Sequence, residues 1–358
     1  MTRPPIPAAV GGTALIVLMA VLPLLNVRVP GILPGATYQP GALSLLALCM
    51  VFAALALSYN LMLGTAGLLS FGHALAFGAG AYGLGIVLER TGLSLWSALL
   101  VTLVGCFVVA QVAGAISLRV TGIPFAMVTL AFAQAASVLV RRNPGGSTGG
   151  DEGLSLATAQ VPEWMVGVAN TRNLYWMTLA MLVLVYAVVV WIDRSRVGHV
   201  AAATRENELR VRVLGIRPYA AKLVVFTVAG VLASLTGAVY LLLQSGTVPR
   251  VVSADLTITI LVMVVLGGVG SRWGVIVGAV VYTVLNQRLS LLAHSDTVES
   301  LPAVLRVPLS EPMFILGTVF ILVVMFFPGG IAGAARATTR TRTRREGRDE
   351  SPLAESAA

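Results

Sequence analysis

The sequence predicts an all-α polytopic membrane protein of about ten transmembrane segments, and three observations carry that prediction. Of the 358 residues, 57% are hydrophobic and only 11% charged, with a mean hydropathy of +0.89; a soluble core of this length has no use for so much apolar surface. The apolar residues gather into stretches near the roughly 20 that a helix needs to cross hydrocarbon. The basic residues are sorted between alternate connecting segments, as membrane insertion requires.

Taken in order, the spans fall at about 8–25, 41–63, 67–88, 93–117, 123–140, 174–192, 223–244, 256–269, 273–290 and 311–327. The first follows Arg3, as in a signal peptide, but its apolar run is longer than the usual h-region, so it reads as a retained span. With its outer loop it occupies residues 1–40, ahead of a transmembrane domain over 41–330. Segment 64–85 carries Gly64, Gly67, Gly72, Gly78, Gly80, Gly83 and Gly85. Small residues let backbones approach, which places it among other helices near the centre of a bundle. Segment 174–192 is bulky all round and lacks Gly, as a lipid-facing helix would. The eighth span is short enough to be broken or half-inserted. Gly270, Gly274 and Gly278 recur at four-residue spacing, which lines them along one helix face. Cys49 and Cys106 both sit in apolar segments and read as small buried hydrophobes rather than as disulfide or metal ligands.

With the amino terminus inside, the cytosolic segments are the start, the turns near 65, 119 and 271, the stretch 193–222 and the tail. They hold sixteen of the 24 basic residues, which puts both termini in the cytosol. The tail, 331–358, has six arginines between Arg336 and Arg348 and reads as disordered. No aromatic residue interleaves those arginines, so nucleic-acid binding is not indicated; the tail suits the anionic cytosolic leaflet.

Between two apolar segments lies a basic island, RSRVGHVAAATRENELRVRVLGIRPYAAK (194–222), with seven basic residues. It predicts a short charged helix from about Arg205 to Gly215, the longest structured cytosolic element of the chain. Nothing in the membrane supplies energy. No Asp or Glu lies inside a span, so the mid-membrane ligand of most ion-coupled carriers is missing. No GxxxxGK[ST] motif binds ATP phosphates, and NPGGSTGGDEG (143–153) is Gly-rich without the Lys. His73, His199 and His294 fall on different segments and form no catalytic set. ATP-driven transport would therefore need a separate ATPase, and the island is the surface on offer. GTAGLLSFGHA (64–74) and GGVGSRWGVIVGA (267–279) occupy similar places in the two halves, as in transporters built from two pseudo-repeats.

RENELRVRVLGIRPYAAKL (205–223) resembles the cytoplasmic signature of branched-chain amino acid ABC permeases of the LivM type. NLMLGTAGLLSFGHALAFGAGAY (60–82), GIPFAMVTLAFAQ (122–134), TGGDEGLS (148–155) and VMVVLGGVGSRWGVIVGA (262–279) resemble further blocks of that family, in the same order. The resemblance covers roughly 40–330. It implies an ABC importer permease bundle in the cytoplasmic membrane, paired with a second permease, two cytosolic ATPase subunits and an extracytoplasmic solute-binding protein. ATP and Mg²⁺ would bind the ATPases, with no cofactor on this chain and no enzymatic step of its own. It further implies that Arg205, Glu206, Asn207, Glu208, Leu209, Arg210, Leu214 and Gly215 form the segment seated in the ATPase. A related branch carries urea or short amides on a similar scaffold, so that substrate class stays open, as does an ion-coupled secondary carrier.

A route for branched-chain amino acids should be mostly apolar, with a few polar groups for the zwitterion. Asn60, Ser70, His73, Thr129 and Gln134 are the candidates, lying near the Gly-rich segment or in the fifth span. Gly64, Gly67, Gly72, Gly78, Gly270, Gly274 and Gly278 are the candidates for tight helix packing.

Overall fold

The computed structural model describes residues 16–27, 34–167, 170–293, 312–326 and 329–333. Its helices are α1 (Pro40–Asn60), α2 (His73–Thr91), α3 (Leu95–Ser117), α4 (Ile123–Arg142), α5 (Thr171–Arg194), α6 (Arg196–Glu206), α7 (Glu208–Val213), α8 (Pro218–Gln244), α9 (Ala254–Gly267), α10 (Arg272–Ala293) and α11 (Pro312–Phe326). Among the described residues, six stretches are long and apolar enough to cross a membrane: Pro40–Thr65, Leu95–Ser117, Ile123–Arg142, Thr171–Arg194, Pro218–Gln244 and Arg272–Leu291. Part of the expected first span and nearly all of the basic tail lie outside the described residues. Internal contacts divide the chain into Met1–Leu261 and Val262–Ala358.

In the first unit the helices start where the sequence lets them. Prolines open α1, α4 and α8, where a missing N–H costs nothing. α2 packs against α3, α4 and α8, and its interface with α8 is the most extensive of the three. A Cβ on Gly80 would overlap the Ser234 carbonyl, and one on Gly237 the Phe77 carbonyl, so each helix offers a glycine to the other's backbone. Gly78 closes on Val252 and Gly85 on Leu154.

α5 has two faces where a lipid-facing helix was expected. It buries Leu174, Tyr175, Thr178, Met181, Val185, Val189 and Ile192 at helical spacing, with Tyr175 and Leu179 packed on Leu43, Ala47 and Met50 of α1, while Trp176, Leu184 and Trp191 stay exposed. Bulk all round a helix does not distinguish lipid from a large-residue packing seam. The helix that faces outward most is α3, with 22% of its apolar window buried against 72% for α1.

Polar contacts sort the helix ends of this unit into two groups. Thr65 bonds Asp193 at 2.7 Å, and Tyr219 bonds the Ala115 carbonyl at 3.1 Å. At the opposite ends, Arg90 donates to the Gly145 carbonyl at 2.9 Å, and Leu154–Ser155 pairs antiparallel with Gly246–Thr247. The turns near 65 and 119 thus share one end with the basic island, and the 143–156 loop lies at the other.

The second unit is built on a tight hairpin of α9 and α10. A Cβ on Gly274 would overlap the Gly267 carbonyl, and one on Gly278 the Met263 carbonyl. Gly270 is not on that helix face. It sits in the turn before α10 with φ +83°, a conformation that favours glycine.

Candidate functional site

The expected single helix from Arg205 to Gly215 is two helices. α6 ends at Glu206, Asn207 is extended (φ −158°, ψ 100°), and α7 begins at Glu208. The Asn207 side chain accepts a hydrogen bond from the Arg210 N–H at 3.0 Å, the usual work of Asn at a helix N-terminus. The other end is closed as tightly. Ile216 N–H bonds the Val211 carbonyl at 3.3 Å, and Gly215 N–H bonds that of Arg212 at 2.9 Å, with Gly215 at φ +77°. This is a Schellman closure, and it defines a short rigid tip.

The tip presents an unusual surface. Val211 points inward, while Leu209, Val213 and Leu214 are 71%, 80% and 76% exposed. They stand between Arg210, Arg212 and Arg217, all exposed. Glu208 is held within the chain, 2.7 Å from Lys222 Nζ and 2.6 Å from Arg212 Nη2. Those contacts, Lys222 first, push its carboxyl below the ordinary carboxylate range. Glu206 and Arg205 are both exposed, and Arg205 also reaches the membrane helices, donating to the Gly64 carbonyl.

The second cluster lies where α1 gives way to α2. Leu61–Thr65 is a π-turn, and the helix does not resume until His73, six residues beyond the expected start at 67. The backbone freed by this break is satisfied by side chains. Phe71 N–H bonds Thr129 Oγ1 at 3.1 Å, Gly72 N–H bonds Ser70 Oγ at 3.1 Å, and Tyr59 O–H bonds the Ser70 carbonyl at 2.9 Å. Ala74 N–H bonds Thr257 Oγ1 at 3.0 Å. Ser58 gives its proton to the Leu55 carbonyl at 2.7 Å, so its 2.8 Å contact with His73 has the imidazole Nε2–H donating.

Four of the five candidates for the substrate route, Asn60, Ser70, His73 and Thr129, are buried around the break, and Ser70, His73 and Thr129 bond there. Gln134 is exposed on α4 and does not join them. The adjoining cavity, lined by Ser70, Gly72, His73, Cys106 and Ser234 among others, has a volume of about 30 Å³. That is room for water and not for an amino acid. Gly64 is buried in the π-turn and Gly67 turns with φ +69°. Gly72 lies so close to α4 that a Cβ would sit 2.7 Å from the Thr129 carbonyl oxygen.

Sequence reasoning missed Thr65 and Asp193, and the pairing of Arg205 with Gly64, because nothing in a sequence pairs positions 128 and 141 apart. It also missed Gly237, one of two glycines in α8 with Gly230, which draws no attention without its partner helix.

The family described as branched-chain amino acid transport system / permease component matches residues 41–327. The chain belongs to that family. Among curated relatives, it is 27% identical over 270 residues to the "High-affinity branched-chain amino acid transport system permease protein LivM" of Escherichia coli (strain K12). The LivM of Salmonella typhimurium gives the same identity, and each alignment covers 68% of this chain and 62% of the relative. The chain thus spans somewhat less than two thirds of the curated relatives it matches. A more distant likeness, 30% over 149 residues covering 39% of this chain and 42% of the relative, links it to the "Autoinducer 2 import system permease protein LsrC" of Photorhabdus laumondii. The matched region of the family takes in both the broken helix and the capped tip.

Proposed function

We propose that this chain is the membrane-spanning subunit of an ATP-driven importer of branched-chain or related apolar amino acids, working by alternating access. One observation carries the reading beyond family membership: three large apolar side chains, Leu209 and Val213 on a doubly capped six-residue helix and Leu214 at its C-cap, stand in water. Exposed apolar anchors rimmed by charge are what a partner's pocket takes up. The partner that fits is a cytosolic ATPase, since the chain has no phosphate-binding loop and no acidic group in mid-span. In this reading two such ATPases carry ATP and Mg²⁺. A second permease completes the pathway, and an extracytoplasmic solute-binding protein delivers substrate.

The same reading places α7 on the cytosolic side of the cytoplasmic membrane, counts ten spans and treats the broken α1–α2 and the α9–α10 hairpin as matching parts of two repeats. Asn60, Ser70, His73 and Thr129 belong to its pathway, with the 30 Å³ cavity as the closed state of a route that widens during the cycle.

The test is replacement of Leu209 and Val213 by Asp. Both side chains are exposed, so membrane insertion and folded yield should match the unaltered chain. Co-purification of the ATPase and ATP-driven uptake should both be lost. Normal uptake by the double variant would remove α7 as the docking element.

A further inference from the structure

The docking reading leaves open how a force on α7 reaches the membrane, and the two clusters described above are joined by more than proximity. Arg205, in the last turn of α6, donates from Nη1 to the carbonyl of Gly64 inside the π-turn. Its aliphatic stem lies over Gly67, where a Cβ would stand 2.8 Å from Arg205 Cγ and where φ is +69°. Only a glycine admits both the turn and the stem. At the other end of α6, Asp193 accepts from Thr65 Oγ1 at 2.7 Å. The residues Gly64–Gly67 are thus held from two positions that flank α6.

α6 is suited to act as a rigid bar between these holds. Ser195 caps it by accepting from the Gly198 N–H at 3.1 Å, and Gly198 closes on the Ile192 carbonyl, fixing the elbow with α5. Its buried face is Gly198, Ala201 and Thr204, spaced by three. Only Asn207 separates it from α7.

What the bar holds is the least regular backbone in the unit's membrane helices. Residues 67–72 are not helical; apart from Leu68 N–H, which bonds the Met62 carbonyl at 3.1 Å, they are held by Thr129 of α4, Tyr59 of α1 and the Ser70 side chain. A displacement of Gly64–Gly67 therefore falls on bonds that can exchange, whereas the continuous helices on either side resist it.

We infer that Arg205 and Asp193 form a grip on the Gly64–Gly67 turn, through which movement of the cytosolic α6–α7 arm is passed to the Ser70–His73 cluster. Arg205 is on this view a positioning residue inside the permease rather than a contact of the ATPase. The inference rests on the importer reading above.

The test uses the whole assembly, with its ATPases, second permease and solute-binding protein, in proteoliposomes, and reads amino acid moved per ATP hydrolysed. Arg205→Ala should leave the ATPase bound and lower that ratio about tenfold, a common size for a lost coupling between sites. Thr65→Val removes one hydroxyl at nearly constant shape and should lower the ratio in the same direction by less; Arg205→Lys should restore part of what Arg205→Ala loses. An unchanged ratio in both Arg205→Ala and Thr65→Val would overturn the grip. So would loss of the ATPase from the Arg205→Ala assembly with Thr65→Val at the unaltered ratio, which would put Arg205 on the docking surface. The unaltered assembly tests the importer reading separately: if it hydrolyses ATP without driving uptake, that reading falls and the grip falls with it.

Discussion

At the scale of single residues, glycines and one carboxylate say most about how this chain holds its shape. Gly237 and Gly80 meet opposing backbone carbonyls, whereas Gly105 on α3 has nothing within 4 Å of where a Cβ would be. Gly237→Val should therefore lower the detergent-solubilised protein's stability by about 2 kcal/mol, the usual scale for overpacking. Gly105→Ala should leave the melting temperature where it was. Glu208 makes a prediction of opposite kind. Its carboxyl is held below the ordinary range by Lys222 and then Arg212, so the stability it contributes is present above the unfolded carboxylate pKa and is lost as pH falls through the lower folded value. The protection factors of the α7 amides, with the intrinsic pH dependence of exchange divided out, should thus fall on acidification from neutral pH, and in Glu208→Gln that fall should be much reduced. These details were only half legible. The glycine density of 64–85 announced close packing, but the partner Gly237 and the pairing of Glu208 with Lys222 need the helices in place. His73 was legible only in part: a lone polar residue in an apolar segment reads as a point on the route, while its contact with Ser58 at the helix break needs the fold.

Among the elements, the arm α6–α7 was visible as charge and misread as geometry. A run of basic residues ending in Gly predicted one helix over 205–215. Asn207 interrupts it because an Asn side chain serves a helix start better than a helix interior; that signal was present in the sequence and outweighed by the continuity of the charge pattern. Asn207→Ala should cost about 1 kcal/mol of α7 stability through the lost cap, seen as faster exchange at Arg210. Gly215→Ala should cost a similar amount, about 1–2 kcal/mol, for forcing a side chain into the left-handed region. Nothing crowds Gly215, so the cost comes from conformation alone. The break before α2 was legible in kind and not in place. Seven glycines marked an irregular segment, yet where the helix resumes depends on Thr129 and Thr257, which come from distant parts of the chain. The same holds for α5, whose packing seam against α1 is invisible when both sides of a helix are apolar.

For the molecule as a whole, composition and the sorting of arginines carried the reading furthest. They point to a polytopic helical membrane protein, and in the first unit the turns near 65 and 119 share one end with the basic island while the 143–156 loop lies at the other. Family membership then follows from the match over 41–327. The proposal that joins these findings is a passive gate worked from the cytosol by separate ATPases gripping the exposed tip of α7, and its sidedness is open to direct measurement. Both native cysteines, Cys49 and Cys106, are buried, so a thiol introduced on the surface can be read against a low background. In intact cells a membrane-impermeant maleimide should label Thr158→Cys, in the 143–170 loop, and leave Leu209→Cys untouched; in inverted vesicles the pattern should reverse. Labelling of Leu209→Cys from outside intact cells would contradict the account, because no cytosolic motor could then reach the helix it is proposed to drive.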